Sequence, residues 1–280
     1  MTREELFEQM KQKHSMLCVG LDTDFDKMPS SVKALANDAP VAVQGSFFGG
    51  KARSVIDFNK AIIDATAPHC IAFKPNLAFY ECYGNSGMKA LELTVDYIRT
   101  NYPGMFIIAD AKRGDIGNTA QMYARTFFET MDFDAVTLSP YMGSETVIPF
   151  LQFPGKYAIV VALSSNKSSA DFQLVSDGGK PLYQIVMEKM MALGTPDNLM
   201  FVVGATQASK LAEIRRFCPD NFFLVPGVGA QGGSAEDSIK YGANSLGGLI
   251  INSSRGVIYA SQGDDFATAA ATVASQTAKF

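Results

Sequence analysis

The chain is poor in the residues that build metal and redox sites. Its 280 residues include only two histidines, His14 and His69, and four cysteines, Cys18, Cys70, Cys82 and Cys218. The cysteines are scattered, with no CxxC pair and no histidine cluster nearby. That excludes a His-rich metal site and fits reduced thiols in a cytosolic core. A carboxylate-bound Mg²⁺ stays compatible with the composition. Long apolar runs are also missing: none approaches the roughly 20 residues that span a bilayer. The segment Met1 to Ser15 is charged and reads as a short amphipathic helix, not a signal peptide. A cytoplasmic protein without a membrane partner is expected. An excess of basic residues is missing too. Lys and Arg number 24 against 28 Asp and Glu, for a net charge of −4, so a nucleic-acid partner is not expected. No internal repeat or low-complexity tract stands out.

What is present is a globular composition, 47 % hydrophobic and 19 % charged. Eight short, nearly continuous apolar runs alternate with helical patterns. They are Met16 to Leu21, Cys70 to Phe73, Met105 to Ala109, Ala135 to Leu138, Ala158 to Leu163, Met200 to Val203, Phe222 to Val225 and Gly248 to Ile251. Such runs suit strands buried on both faces of a parallel sheet. Between them, Ile56, Ile62 and Ile63, then Met88, Leu91, Val95 and Ile98, recur at helical spacing. A later helix opens at Pro181, with Leu182, Ile185, Val186 and Met190 as its apolar stripe. Eight β-α units predict a single-domain (β/α)8 TIM barrel over residues 1–280, with an open doubly wound sheet as the alternative. Residues 25–51 form an insertion after the first strand, holding one short helix from Ser30 to Ala36. A polar loop from Ser164 to Gly179 follows the fifth strand and is a candidate lid.

Charges fall at the ends of apolar runs. Asp22, Lys74 and Asp110 each close one, at the end of a barrel where sites are carried. In an extended segment Asp110 and Lys112 share a face. Asp115 follows Gly114 at the start of a helix, where a capping role is also open to it. Alternating Asp and Lys keeps each carboxylate ionised and each ammonium protonated. That array can stabilise a developing carbanion and supply a proton without metal or cofactor. After the seventh strand comes Pro226-Gly227-Val228-Gly229-Ala230-Gln231-Gly232-Gly233, and the eighth delivers Asn252-Ser253-Ser254-Arg255-Gly256. Loops seven and eight of barrels commonly hold a phosphate, and Arg255 supplies a bidentate donor.

Phe73-Lys74-Pro75-Asn76, the run Asp110 to Thr119 and the glycine-rich run Pro226 to Gly233 together closely resemble the orotidine 5′-phosphate decarboxylases, in particular their longer bacterial-type branch. The resemblance implies decarboxylation of orotidine 5′-monophosphate to UMP in de novo pyrimidine biosynthesis, without a cofactor. It implies a Lys74-Asp110-Lys112-Asp115 network with Lys112 protonating C6 and Asp110 beside the substrate carboxylate. Asp22 and Lys74 would contact the ribose. Ser165 would contact the pyrimidine, although Ser164 precedes it and the usual proline and glycine are missing after Asn166. Pro226 would line the substrate site. Gln231 and Arg255 would bind phosphate, with Gly229 and its neighbours giving amides. Asp115 and Thr119 would reach into the site of a second copy, making a homodimer with shared sites. The rivals are a Mg²⁺-dependent sugar-phosphate decarboxylase or hexulose-phosphate synthase, a Schiff-base aldolase using Lys74 or Lys112, and a non-enzymatic phosphate-ligand binder.

Overall fold

The computed structural model describes residues 1–36, 49–228 and 232–280. A helix over Arg3–Lys13 leads in. Thr2 caps it, accepting from Glu5 N while the Glu5 side chain reaches back to Thr2 N. Eight parallel strands follow: β1 Leu17–Leu21, β2 Ala72–Pro75, β3 Phe106–Arg113, β4 Ala135–Leu138, β5 Tyr157–Leu163, β6 Leu199–Val203, β7 Phe223–Val225 and β8 Leu249–Ser253. Each pairs with its neighbours in sequence, and β8 pairs with β1, so the sheet closes. The open-sheet alternative is thereby excluded. In β1, β2, β4, β6, β7 and β8 every residue is buried, which is why the runs lack polar alternation.

Helices Gly49–Thr66 and Gly84–Asn101 cover the strands with the apolar positions expected of them. Ile62, Ile63, Leu91 and Ile98 are fully buried. Helix Leu182–Met191 differs. Its buried positions are Tyr183, Met187 and Met190, whereas Leu182, Ile185 and Val186 are half-buried. Of the expected stripe, Met190 is buried and Val186 packs against the core, while Leu182 and Val186 also line an apolar cavity with Phe172, Tyr141 and, from β5, Val161 and Ala162. In the insertion the short helix runs Ser30–Ala34; positions 37–48 of that segment lie outside the described residues.

The loop after β5 is more structured than its composition suggests. It contains a 3-10 turn over Lys167–Asp171 and a two-stranded ribbon pairing Ser176–Asp177 with Lys180–Pro181. Its entrance is fixed against β6. Gly204 N donates to Leu163 O at 2.8 Å. A Cβ on Gly204 would lie 2.7 Å from the Ser165 backbone, too close for any relaxed contact. Gly204→Ala is therefore expected to cost about 1–3 kcal/mol of stability through overpacking. Urea unfolding measures this, and an unchanged midpoint would mean the loop entrance yields freely.

Candidate active site

The carboxyl ends of the strands enclose a cleft of about 280 Å³. Asp22, Lys74, Asp110 and Lys112 line it, brought together from the ends of β1, β2 and β3. Lys74 Nζ donates to Asp110 Oδ2 at 2.9 Å and stands 3.9 Å from Asp22 Oδ1. Lys112 Nζ donates to Asp110 Oδ1 at 2.6 Å. Asp110 thus receives one ammonium on each oxygen. Burial works against ionisation of Asp110, but the charges of Lys74 and Lys112 and their hydrogen bonds overcome it. They hold the carboxyl well below the usual carboxylate range. Lys74 is almost wholly buried. Burial disfavours its charge, yet Asp110 and Asp22 outweigh that and keep it protonated beyond the usual lysine range.

The reason that Asp110 and Lys112 meet is not simple strand alternation. β3 does not end at Asp110 but continues to Arg113 through a bulge. Ala109 pairs with Val136 and Arg113 with Leu138, leaving Asp110, Ala111 and Lys112 opposite Thr137 alone. Lys112 adopts φ 46°, a left-handed conformation that is strained for a residue with a Cβ. Asp115 also differs from a simple cap. The helix it precedes runs Gly117–Arg125 with Ile116 as its N-terminal flank, and the Asp115 carboxylate accepts from Ile116 N at 2.8 Å. Asp115 and Thr119 do not line this cleft.

Ser164, Ser165, Pro226 and Arg255 do line it. The Ser164 hydroxyl donates to Asn166 Oδ1 at 2.7 Å and accepts from Gln173 Nε2 at 2.9 Å, clipping the loop at its base. Gly227 takes φ 98°, which only glycine adopts readily, and its carbonyl accepts from Gly233 N at 3.1 Å. The glycine turn is thereby closed at the mouth of β7. Gly229 and Gln231 lie outside the described residues. Three polar residues near the cleft were given no role from the sequence: Asn76 and Asn252, which stand within the motifs, and Thr137. The first two line the cleft. Asn252 Oδ1 and Asp22 Oδ1 are buried acceptors with no hydrogen-bond donor among the described residues, which suits a ligand carrying hydroxyl or amide protons. Asn76 and Asn252 sit among apolar strand residues, and that placement was the available signal.

A profile of the orotidine 5′-phosphate decarboxylase / HUMPS family matches residues 15–271. The chain belongs to that family. It is 54 % identical to the orotidine 5′-phosphate decarboxylase of Phocaeicola vulgatus over 271 residues, covering 96 % of this chain and 94 % of the relative. It is 52 % identical to the Bacteroides fragilis enzyme of the same name over 277 residues, covering 99 % and 95 %. Among solved structures, the Leishmania donovani OMP decarboxylase superposes with a TM-score of 0.78 at 33 % identity, covering 99 % of this chain and 97 % of that one. These decarboxylase-family likenesses extend over the barrel and its cleft alike.

The geometry separates the two lysines in stability. Removing the Asp110 charge by Asp110→Asn leaves Lys74 buried with only the more distant Asp22, and should cost about 3–5 kcal/mol. Lys112→Ala removes a side chain that is 56 % exposed, and should cost under about 1 kcal/mol. The pH dependence follows from the depressed carboxyl. Its stabilisation is complete above the unfolded value near ~3.9 and is lost as pH falls through that range toward the lower folded value. Asp110→Asn should flatten this acid limb in denaturant titrations. Equal losses for the two variants would contradict the assignment of Lys74 as the buried partner.

Proposed function

We propose that the chain decarboxylates orotidine 5′-monophosphate to UMP without a metal or cofactor, in a homodimer whose sites are shared. The observation that carries the reading is the Asp22-Lys74-Asp110-Lys112 array in a cleft that Pro226, Gly227 and Arg255 also line. In this reading the bond from C6 to the carboxylate breaks, CO₂ departs, and the electron pair stays on C6. Lys112, half-exposed into the cleft, donates its proton to C6. Asp110 holds Lys112 in place beside the departing carboxylate. Asp22 and Lys74 bind the ribose hydroxyls, with Ser165 at the pyrimidine edge. Pro226 and the glycine turn, with Gly229 and Gln231 as proposed members, and Arg255 hold the phosphate.

A cation-dependent reaction fits this geometry less well. The place between the carboxylates of Asp22 and Asp110 is taken by Lys74 Nζ, so a divalent ion bridging them would meet a buried ammonium. A Schiff base is disfavoured by the same contacts, because both amines are paired with Asp110.

Support for the shared site comes from the surface around Asp115. Ile116 and Met122 are exposed there, and so are Tyr141 and Met142 on the loop after β4. Gly114 packs so closely that an added Cβ would stand 2.7 Å from Ser139 O, so the two loops are neighbours. Exposed apolar residues on two neighbouring loops suit a second copy of the chain. Asp115 and Thr119 then complete the neighbour's cleft.

The test is direct. Purified protein with EDTA and orotidine 5′-monophosphate should lose pyrimidine absorbance. Lys112→Ala should reduce kcat by about 10³-fold or more while the fold persists. Arg255→Ala should lower kcat at saturation as well as raise KM, because remote binding energy is used in the chemical step. An effect on KM alone would refute that use. If sites are shared, mixing inactive Lys112→Ala and Asp115→Asn chains should restore about a quarter of wild-type activity through mixed dimers. No recovery after verified subunit exchange would exclude Asp115 from the neighbour's site.

A further inference from the structure

We infer that Thr137 is a positioning residue for the reaction centre: its hydroxyl holds open the β3 bulge and turns Asp110 toward both lysines. The inference rests on the decarboxylase reading for its kinetic consequence, but the geometry stands independently. Three residues of β3 face Thr137 alone, so the sheet ladder has no carbonyl for the N–H groups of Ala111 and Lys112. Thr137 Oγ1 accepts from Ala111 N at 3.0 Å and from Lys112 N at 2.9 Å. A hydroxyl has two lone pairs and one proton. Both lone pairs are taken, so the proton has one remaining direction, and it is donated to Asp110 Oδ1 at 3.1 Å. The side chain is 1 % exposed, so bulk water does not compete for these bonds.

The consequence is that one hydroxyl replaces a missing stretch of ladder. It stabilises the left-handed φ of Lys112, which brings the lysine back over Asp110. It also offers Asp110 a third donor. The titratable groups near Asp110 are Lys112 on β3, Lys74 on β2 and Cys18 on β1, with Asp22 on the far side of Lys74. The remaining residues of β4 are Ala135, Val136 and Leu138, so Thr137 alone acts from that side. Valine would match the shape and fit a strand, yet could neither accept nor donate.

Thr137→Val and Thr137→Ser in the full-length chain separate the hydroxyl from the packing. Thr137→Val should lower kcat on orotidine 5′-monophosphate at least about tenfold with KM changed less than about threefold, since bonds to a charged group are lost. Thr137→Ser should stay within about threefold of wild type, because the hydroxyl remains. The ¹³C carboxyl titration of Asp110 gives a readout without turnover. It should move to higher pH in Thr137→Val and return in Thr137→Ser, and kcat should lose activity at correspondingly higher pH. If the wild-type chain fails to act on orotidine 5′-monophosphate, the decarboxylase reading falls while the titration still decides the role of Thr137. A Thr137→Val chain with wild-type kcat and an unmoved titration overturns the inference. Should Thr137→Val fail to fold, Thr137→Ser decides alone: a loss of tenfold or more would assign the role to the methyl group.

Discussion

Everything in the cleft depends on one buried carboxylate meeting two ammonium groups. Asp110 lies where desolvation alone would neutralise it, and Lys74 lies where desolvation alone would strip its proton. Each is charged because the other is. Their separation of 2.9 Å is fixed by neighbouring parallel strands, β2 and β3, not by flexible loops. The pair is costly to form and more costly to break singly, so it is a rigid electrostatic feature rather than a source of net stability. Lys112 adds a second charge of a different kind. Its side chain is more than half exposed, and so it can move while Lys74 cannot.

Closure of the barrel converts this local pair into a site. Asp22 is brought beside Lys74 because β1 and β2 are in register from Cys18 and Ala72 to Leu21 and Pro75. The same closure pairs β8 with β1, with Asn252 opposite Cys18 in the register, which sets Asn252 and Arg255 beside β1 although they lie nearly the whole chain away in sequence. The bottom of the barrel is tied separately. The Arg215 guanidinium donates to the carbonyls of Gly242, Cys218, Pro219, Asn221 and Gly248 and lies over the Phe223 ring at 3.8 Å. Stability is thus built at one end and charge is concentrated at the other, as barrels of this architecture permit.

Much of this was legible in the residue order. Strands buried on both faces write themselves as continuous apolar runs, and all eight appear where Leu17, Phe73, Ile107 and their counterparts stand. Asp22, Lys74, Asp110 and Lys112 were visible because charges are costly inside such runs. The bulge was not legible. Its cause is a hydroxyl on a different strand, and Thr137 reads in sequence as an ordinary β-branched strand residue. The stripe of helix Leu182–Met191 was legible in part: Met190 is buried and Val186 packs on the core, but the cavity that Leu182 and Val186 also line was not foreseeable. Periodicity registers an apolar face, but not whether it meets the barrel or the cavity beneath the loop after β5.

The saturation of Asp110 bears on how the proposed reaction would be driven. Its two oxygens already accept from Lys74, Lys112 and Thr137. An arriving substrate carboxylate therefore meets an anion that cannot be relieved by taking up a proton at neutral pH, because the carboxyl is held far below that range. The cost of that approach has to be met elsewhere on the ligand. Pro226, Gly227 and Val228 after β7 and Arg255 after β8 line the same cleft, and a phosphate held by them would bind without touching the reacting carbon. In the proposed reaction, binding there would offset the crowding of like charges at Asp110, and that crowding would be released when CO₂ leaves and the new carbanion faces Lys112. Such an interaction would favour the transition state over the bound substrate, which is the condition for binding energy to raise kcat rather than affinity. Enzymatic barriers are lowered by about 8–23 kcal/mol in general, more than one ammonium supplies, so a fixed charge array coupled to a remote anchor is the arrangement such chemistry demands.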